Sequence, residues 1–562
     1  MNYTPEISPL GPLWLSALVG LLPLATIFIT LGWLRWKAHW AGLTAVAVAI
    51  LVSIFAWHMP AQLALLSALQ GAAFGLFPIM WIVLAAILLY QITVVSGRFE
   101  DLRGVFGLVS DDPRVQAMLI AFCFGGLLEA LAGFGAPVAI TGVMLMAIGF
   151  SAMRAAIVVL VANTAPVAFG AIGIPIITAG NLTKIPYQQI GAYVGHQTPV
   201  LASFVPLVLV LLADGRRGIR QLWPVALVTG LAFGIAQWVS ATWISVELTD
   251  IIASLVGLAA AVIMLRFWKP QGGADALLTL HRDRDAELAA MTDSERAALP
   301  ALHELNDRPP LTGGRIFMAL FPYLLVIVLF SMTKLIDPIK NAITATDIKI
   351  KWPGLDGHLM TATGQPSTAS VYTFQWLSSA GTWLVIAMII TAIVYRVTPR
   401  QVFGEIAATV VKLRFSILTV ASVLALAYVM NFSGQTITIG TWIAGTGAAF
   451  AFFSPILGWI GTAVTGSDTS ANALFATLQQ TAGVQAGIDP TLLVAANTSG
   501  GVVGKMVSPQ NLTIAATAVG LLGRESDILR KVLWWSLGML VVMCLLVGLQ
   551  STPVLGWMLP HF

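Results

Sequence analysis

Long apolar runs separated by short polar segments recur along the chain from Leu13 to Leu559. Each run has about 20 residues, the length that an α-helix needs to cross the hydrocarbon core of a membrane. Of the 562 residues, 58% are hydrophobic and only 10% are charged, whereas soluble domains carry roughly 25% charged residues. Such a chain cannot cover itself with polar surface, so we predict an all-α integral membrane protein.

The apolar runs predict about twelve transmembrane helices, and two further segments, 117–150 and 453–480, differ from them. Both segments are rich in glycine and are interrupted by polar residues. Lys and Arg cluster in short loops of one side, which the positive-inside rule places in the cytoplasm. The spans alternate correctly only if the two segments enter the membrane and return on the same side. We therefore predict two re-entrant hairpins, with both chain termini outside.

Composition also argues against several other functions. The net charge of +4 comes from basic residues in short loops, a pattern that reports topology rather than nucleic-acid binding. Cys123 and Cys544 lie in apolar stretches without metal-ligand spacing, so neither a disulfide nor a metal or cofactor site is predicted. The spans contain no HExxH or GxSxG pattern, which disfavours an intramembrane enzyme. A channel would differ from a transporter by moving its substrate only downhill.

A polar insert divides the apolar runs into two parts. We predict a first inverted repeat at 1–213, with five spans and a hairpin, and a second at 316–562 with the same content. Two connecting spans occupy 214–268, and 269–315 is a charged, partly helical cytoplasmic loop. A further polar stretch at 341–372 is expected to be a second exposed loop.

The two parts share a motif that follows each predicted hairpin, VANTAPVAFGAIGIP and AANTSGGVVGKMVSP. The matching residues, at the same offsets of seven and twelve positions, are Asn163-Thr164, Gly170 and Pro175 in the first and Asn497-Thr498, Gly504 and Pro509 in the second. The positive-inside count gives the two parts opposite orientations, so the repeat is of inverted topology. Interrupted helices at matching positions indicate a transporter's midplane site, where N–H groups face an anion. The alternative is that Asn, Thr and Gly merely allow close helix packing.

Charged residues lie where charge is costly. Glu129 is in the first hairpin and Asp468 is in the second, and an ionisable residue inside a membrane is a functional candidate. Both are candidate proton carriers, although each could instead accept structural hydrogen bonds or pair with a buried cation. Lys505 could attract a substrate carboxylate or pair with one of these acids. His196 is a candidate proton relay, with a structural role as the alternative.

The polar side chains of the motifs and the glycines of the first hairpin suit a small carboxylate that carries a hydroxyl group. The predicted substrate-binding residues are Asn163, Thr164, Gly133, Gly135, Ser467, Thr469, Asn497, Thr498, Lys505 and Ser508. The carboxylate is expected between the two hairpin tips and the two interrupted Asn-Thr segments.

Several long segments resemble the L-lactate permease family of proton-coupled transporters, which includes glycolate permeases. They are FCFGGLLEALAGFGAPVAIT, VANTAPVAFGAIGIPI, DGRRGI, GWIGTAVTGSDTSANALFATLQ and VAANTSGGVVGKMVSPQNLTIA. The resemblance covers nearly the whole chain. Glu129, Asp468, Asn163, Asn497 and Lys505 stand at matching positions.

The resemblance implies a secondary transporter that carries L-lactate, D-lactate or glycolate together with protons across a bacterial inner membrane. Its partners would be a 2-hydroxymonocarboxylate, protons and the lipid bilayer, with both termini in the periplasm. Sodium coupling is the alternative, because Asn-Thr pairs and unwound carbonyls resemble the sodium sites of other two-hairpin anion transporters. A homodimer, and the choice between elevator and rocking movement, are left open.

Overall fold

The computed structural model describes residues 2–560 apart from 35, 108, 132, 134, 293–295, 297–298, 300–311, 361–366 and 522. Parts of the polar insert and of the stretch 341–372 therefore lie outside the described residues. Within the described part, ten helical segments are long and apolar enough to cross a membrane, and four shorter apolar helices accompany them. The all-α membrane fold is confirmed, whereas the number of twelve spans and the two re-entrant hairpins stay predictions.

The first part of the chain forms a series of helices that ends at the polar insert. They are α1 (Leu13–Gly20), α2 (Leu22–Phe28), α3 (Ala38–Phe55), α4 (Ala61–Phe74), α5 (Trp81–Val95), α6 (Arg98–Gly107), α7 (Pro113–Met118), α8 (Gly125–Leu131), α9 (Ala136–Ala147), α10 (Ala152–Ala162), α11 (Ile174–Thr183), α12 (Tyr187–Gly195), α13 (Thr198–Ala202), α14 (Val205–Val239) and α15 (Thr249–Phe267). Short π-helical turns extend or join some of them at Ile29–Trp33, Gly75–Met80, Leu119–Phe124 and Ser240–Ile244.

The second part contains the insert helix, a small sheet and the remaining helices. They are α16 (Gly273–Ala290), α17 (Gly313–Leu335), α18 (Asp337–Thr344), β1 (Ile348–Lys351), β2 (Val371–Phe374), α19 (Ala380–Val394), α20 (Pro399–Ser433), α21 (Gln435–Ala444), α22 (Phe450–Thr465), α23 (Asp468–Ala486), α24 (Pro490–Gly504), α25 (Pro509–Ala518) and α26 (Glu525–Gln550). The antiparallel pair β1–β2 lies in the polar stretch that we expected to be a loop.

The outer helices present large apolar side chains on the surface of the molecule. Phe55, Phe267 and Trp534 are 74%, 86% and 75% exposed. Soluble monomers rarely expose extended apolar patches of this kind. The surface suits hydrocarbon rather than water, in agreement with the apolar runs.

Two helical segments of the first part have counterparts of equal length in the second part. The continuous segments Ala61–Val95 and Pro399–Ser433 both have 35 residues, and Pro113–Leu131 and Gly447–Thr465 both have 19. Helices α4 and α20 pack against each other. The inverted repeat, including the opposite orientation of its halves, stays a prediction.

Close packing of α22 on α24 depends on glycine. A Cβ atom added at Gly458 would lie 1.8 Å from the carbonyl oxygen of Asn497, and one at Gly500 would lie 2.0 Å from that of Pro455. Neither distance is compatible with a side chain. The glycines of the second motif therefore serve helix contact, as the packing alternative proposed.

The insert helix α16 docks on the membrane helices through charged side chains. Arg154 in α10 forms an ion pair of 2.7 Å with Asp283, and the backbone N–H of Met153 donates to Glu287 at 3.1 Å. Leu280 is buried beneath the helix. The insert is thus partly helical, as predicted, and α16 rests on the protein rather than lying free in solvent.

A buried arginine holds in place the segment that leads into the first predicted hairpin. Arg114, which is fully buried, pairs with Asp112 at 2.7 Å and with Asp214 at 2.8 Å. Its guanidinium also donates to the carbonyl oxygen of Gln271 at 2.8 Å. One side chain therefore ties the hairpin, the DGRRGI turn and the start of the insert together.

Candidate functional site

The first Asn-Thr motif lies at a true interruption of a helix. Helix α10 ends at Ala162 with Asn163 as its C-cap residue, and α11 begins only at Ile174. Pro166 follows two residues after Thr164, and proline can neither donate a backbone hydrogen bond nor allow the preceding residue an easy helical conformation. The interruption therefore follows the motif directly, as predicted.

The second Asn-Thr motif differs from this expectation. Asn497 and Thr498 lie inside the continuous helix α24, which ends at Gly504. The interruption is a short 3-10 turn, Lys505–Val507, before Pro509 starts the next helix. No proline occurs between Pro490 and Pro509, so nothing stops the helix at the motif itself. The interrupted residues of this half are those around Lys505.

Glycines make the turns of the two predicted hairpins. In the first, Gly133 and Gly135 have φ angles of +48° and +84°, a region that glycine adopts without strain. In the second, Gly466 has a φ of +77°, and Ser467 then caps α23 by accepting a hydrogen bond from the N–H of Ser470.

Both turns meet the short helix α25. A Cβ atom at Gly135 would lie 2.3 Å from Cδ1 of Ile514, and one at Gly466 would lie 2.5 Å from Oε1 of Gln510. Asn472 near the start of α23 donates to the carbonyl oxygen of Pro175 near the start of α11 at 3.0 Å. Helices α9, α11, α23 and α25 thus all begin in the same central region. Helix N-termini carry partial positive charge and free N–H groups, so this region favours an anion.

A buried ion pair lies at this centre. Nζ of Lys505 donates to Oε1 of Glu129 at 2.7 Å, and Nδ2 of Asn163 donates to Oε2 at 3.0 Å. All three side chains are buried, with 7%, 2% and 6% exposure. The ion pair joins the first predicted hairpin, which contains Glu129, to the helix interruption at Lys505–Val507. Asn163 connects the interruption after α10 to the same pair. Of the roles considered for Lys505, pairing with Glu129 is the one adopted in this structure.

Asp468 is a second buried acid close to the pair. Its Oδ1 accepts from Oγ1 of Thr462 at 3.3 Å, whereas Oδ2 has no hydrogen-bond partner among the described atoms. Its carboxyl group interacts electrostatically with Lys505. Gly501 makes room for it, because a Cβ there would lie 1.8 Å from Asp468 Oδ1.

Asp250 at the start of α15 is a third buried acid of the same region. It is 2% exposed, and its carboxyl group interacts electrostatically with both Glu129 and Lys505. Nε2 of Gln237 donates to its Oδ1 at 3.2 Å. Sequence reasoning missed it, because Asp250 directly precedes an apolar run and looked like the polar boundary of a span. The uncharged but polar Gln237 inside the preceding run was the available signal.

The Asn-Thr pair of the second half takes part in a polar network rather than lining open space. Asn497 donates to Oδ1 of Asn472 at 2.9 Å, and Nδ2 of Asn472 donates to Thr498 at 2.8 Å. Both motif residues are fully buried. In this conformation they position α24 against α23, and they would reach a ligand only after a rearrangement.

The other predicted binding residues serve mainly as caps. Thr164 donates to the carbonyl oxygen of Val161 at 2.7 Å, and Ser508 caps α25 while donating to the carbonyl oxygen of Lys505 at 2.9 Å. Thr469 is buried in the first turn of α23. A crevice too narrow to admit a water molecule lies between these elements, and its lining consists of Leu160, Asn163, Thr164, Lys505, Met506 and Asn511.

His196 does not join this centre through any contact that the structure shows. Its Nδ1 lies 2.7 Å from the carbonyl oxygen of Ala192, and its Nε2 accepts from the indole N–H of Trp238 at 2.8 Å. Both ring nitrogens are therefore engaged with other partners. This geometry favours the structural alternative for His196.

Comparison with known proteins agrees with this architecture. A family model described as L-lactate permease matches residues 16–554. The chain is 41% identical to the L-lactate permease of Bacillus subtilis (strain 168) over 100% of both chains. It is 40% identical to the glycolate permease GlcA of Escherichia coli (strain K12) over 99% of both. Among solved structures it is similar to the YdaH transporter of Alcanivorax borkumensis, with a TM-score of 0.30 and 16% identity over 77% of this chain and 90% of that one; likeness at this level says nothing about function. The match over nearly the whole length shows that this chain belongs to the L-lactate permease family and is a multi-pass membrane transporter rather than an enzyme.

Proposed function

We propose that the protein takes up L-lactate, and also D-lactate and glycolate, by symport with protons across the inner membrane. The relatives named L-lactate permease and glycolate permease support the substrate class. The observation that carries the coupling is the buried ion pair between Lys505 and Glu129.

Before the substrate binds, the Glu129 carboxylate is paired with the ammonium group of Lys505. That ammonium group is the cation to which a substrate carboxylate would bind. Protonation of Glu129 removes its negative charge and breaks the ion pair, while Asn163 continues to hold the neutral carboxyl group. Lys505 is then free to bind the carboxylate of lactate. The ammonium group has one anionic partner both before and after this exchange.

Charge balance couples the binding of the proton to the binding of the lactate anion. A proton without lactate leaves Lys505 unpaired, and lactate without a proton places two carboxylates on one lysine. Removing one partner of a buried ion pair costs about 3–5 kcal/mol, and a membrane interior offers little solvent to reduce that cost. We therefore expect the conformational change only when the protein carries neither a proton nor lactate, or when it carries both.

The residues around the crevice suit the rest of the substrate. Four helices begin there, and their N–H groups support the bound carboxylate. Asn163, Ser508 and Asn511 offer amide and hydroxyl groups for the 2-hydroxyl. The crevice is narrow in this conformation, so binding requires the hairpin turns to separate from α25.

Transport by reconstituted protein tests the proposal. Proteoliposomes with an inward pH gradient and no sodium should accumulate labelled L-lactate, and D-lactate and glycolate should compete. A sodium gradient without a pH gradient should give no accumulation. Accumulation that follows sodium instead, or equilibration without accumulation under either gradient, would refute proton symport.

Two variants identify the proton carrier. Glu129→Gln should keep lactate exchange at equal pH and lose gradient-driven accumulation, because a neutral side chain at this position mimics the protonated state. Asp468→Asn should keep accumulation if Glu129 is the carrier, and lose it if Asp468 is. Glu525→Gln, on a carboxyl group outside the buried centre, is the control. Wild-type coupling in both buried variants would exclude both residues as carriers.

A further inference from the structure

Asp250 lies in a seam between the first hairpin and the connecting helix α15. Helices α8 and α15 pack directly against each other. Their contact is close at Gly126, where an added Cβ would lie 2.3 Å from Oγ of Ser254. Glu129 lies three residues after Gly126, and Asp250 lies four residues before Ser254. Residues three or four apart share one face of a helix, so both acids belong to this seam.

One carboxylate oxygen of Asp250 accepts a hydrogen bond, and the other has no hydrogen-bond partner among the described residues. Oδ1 accepts from Nε2 of Gln237, which also donates to the carbonyl oxygen of Ala165 at 3.1 Å. Oδ2 is buried and has no hydrogen-bond partner in the part of the chain that the structure describes. Buried polar atoms are nearly always paired, so an open carboxylate oxygen in the seam that also holds Glu129 points to a group that binds a proton.

Few charged groups face Asp250. Glu129 approaches from α8 and Lys505 from the turn before α25. Helix α14 presents the uncharged Gln237, and its charged residues lie at and just after the kink at Asp214 and Gly215. The other packed segments are Leu119–Phe124, whose one titratable residue is Cys123, and Ala171–Gly173 and Ser240–Ile244, which contain none.

A further acid links the segment that precedes α15 to the start of α12. Glu247, three residues before Asp250, is buried and accepts hydrogen bonds of 2.8 Å from Tyr187 and from Ser245. Tyr187 begins α12, directly after the loop that carries the exposed Lys184. In the predicted topology this loop faces the outside, the side from which protons enter.

We propose that Asp250 is a proton relay that delivers protons from the outer side to Glu129, an inference that rests on the proton symport proposed above. In this step the O–H bond of the Asp250 carboxyl group breaks and an O–H bond forms on Glu129. Glu129 loses its charge and releases Lys505, and Asp250 regains a proton from the Glu247 side. Asp250 does not bind lactate. It sets the rate at which the carrier becomes protonated.

The test separates net proton movement from substrate exchange. In Asp250→Asn, lactate exchange at equal pH should remain near the wild-type rate, because exchange needs no net protonation. Uptake driven by an inward pH gradient should fall about tenfold or more, since proton-transfer groups commonly contribute factors of this size or larger. Its dependence on external pH should flatten. Asp250→Glu should restore the dependence, and Ser254→Ala, one turn along the same helix, should leave both rates unchanged.

Each result decides one question. If the wild type shows no uptake driven by the pH gradient, the proposed symport fails and the relay fails with it. If the wild type is coupled, Glu129→Gln is uncoupled and Asp250→Asn keeps the wild-type rate and pH profile, the relay alone is refuted. If Asp250→Asn loses exchange and accumulation together and Asp250→Glu restores neither, Asp250 is structural and the relay is likewise refuted.

Discussion

At the scale of single residues, the ion pair of Lys505 and Glu129 joins positions that are 376 apart in the sequence. The sequence shows that both charges lie in apolar surroundings, because each interrupts a long apolar segment. It does not show which acid the lysine selects, since Glu129 and Asp468 each lie in a predicted hairpin, at a distance from Lys505 along the chain. That choice depends on how the first hairpin packs against the second interruption, which no local pattern contains.

The loss of stability caused by leaving Glu129 without its partner Lys505 can be measured. Lys505→Met should destabilise the protein by about 3–5 kcal/mol, because it leaves Glu129 buried without its cation. The double variant Lys505→Met with Glu129→Gln should be more stable than the single variant. Thermal unfolding of the detergent-solubilised proteins at equal concentration gives the order. A double variant less stable than Lys505→Met would show that the two side chains act independently.

Asp250 shows where residue-level prediction stops. Its sequence context, LTDIIASL, looks like the end of a loop and the start of a span. Burial comes from α8 and α14, which both pack against α15, and from Gln237. Tertiary packing buries a residue that stands at the boundary of a span. Hydropathy along the chain does not distinguish such a buried residue from an exposed one.

At the scale of elements, the two Asn-Thr motifs show that equal spacing does not give equal structure. The interruption follows the motif directly in the first half because Pro166 is close, and it is delayed to Lys505 in the second because the next proline is Pro509. The motif predicts that an interrupted helix is near. The position of proline determines where the helix ends.

The contact between α22 and α24 gives a prediction at this scale. Gly500→Ala should lower the thermal midpoint and the yield of monodisperse protein, because the new Cβ would collide with the backbone of Pro455. Gly538→Ala is the matched control, since it is helical and has open space around it, and alanine is the better helix former by about 1 kcal/mol. Equal stability of the two variants would mean that α22 and α24 are not in close contact.

At the scale of the whole molecule, the sequence predicts the helical membrane class, the insert and the order of the elements. It does not predict that α16 docks through Asp283 and Glu287, or that residues 348–374 contain a strand pair. Both depend on surfaces that form only after the membrane helices have packed. Apolar periodicity identifies which segments are buried in lipid or protein, and it says little about how polar segments settle on them.

The inverted orientation of the two halves can be tested by labelling. Single cysteines at the exposed positions Asp111 and Thr446 precede the first and second hairpins, in a protein that lacks Cys123 and Cys544. A membrane-impermeant maleimide added to intact cells should label Thr446→Cys and spare Asp111→Cys. Arg282→Cys in the insert helix should behave like Asp111→Cys. Labelling of both hairpin positions from the same side would contradict the inverted repeat.

In the proposed mechanism, the contact of Glu129 with Lys505 competes with the substrate carboxylate for the ammonium group. A carboxylate tethered beside the ammonium group competes at a high effective concentration, so free lactate meets a site that is already filled by the protein. On this proposal, a measured lactate affinity reports how readily Glu129 withdraws as well as how well the pocket fits its ligand.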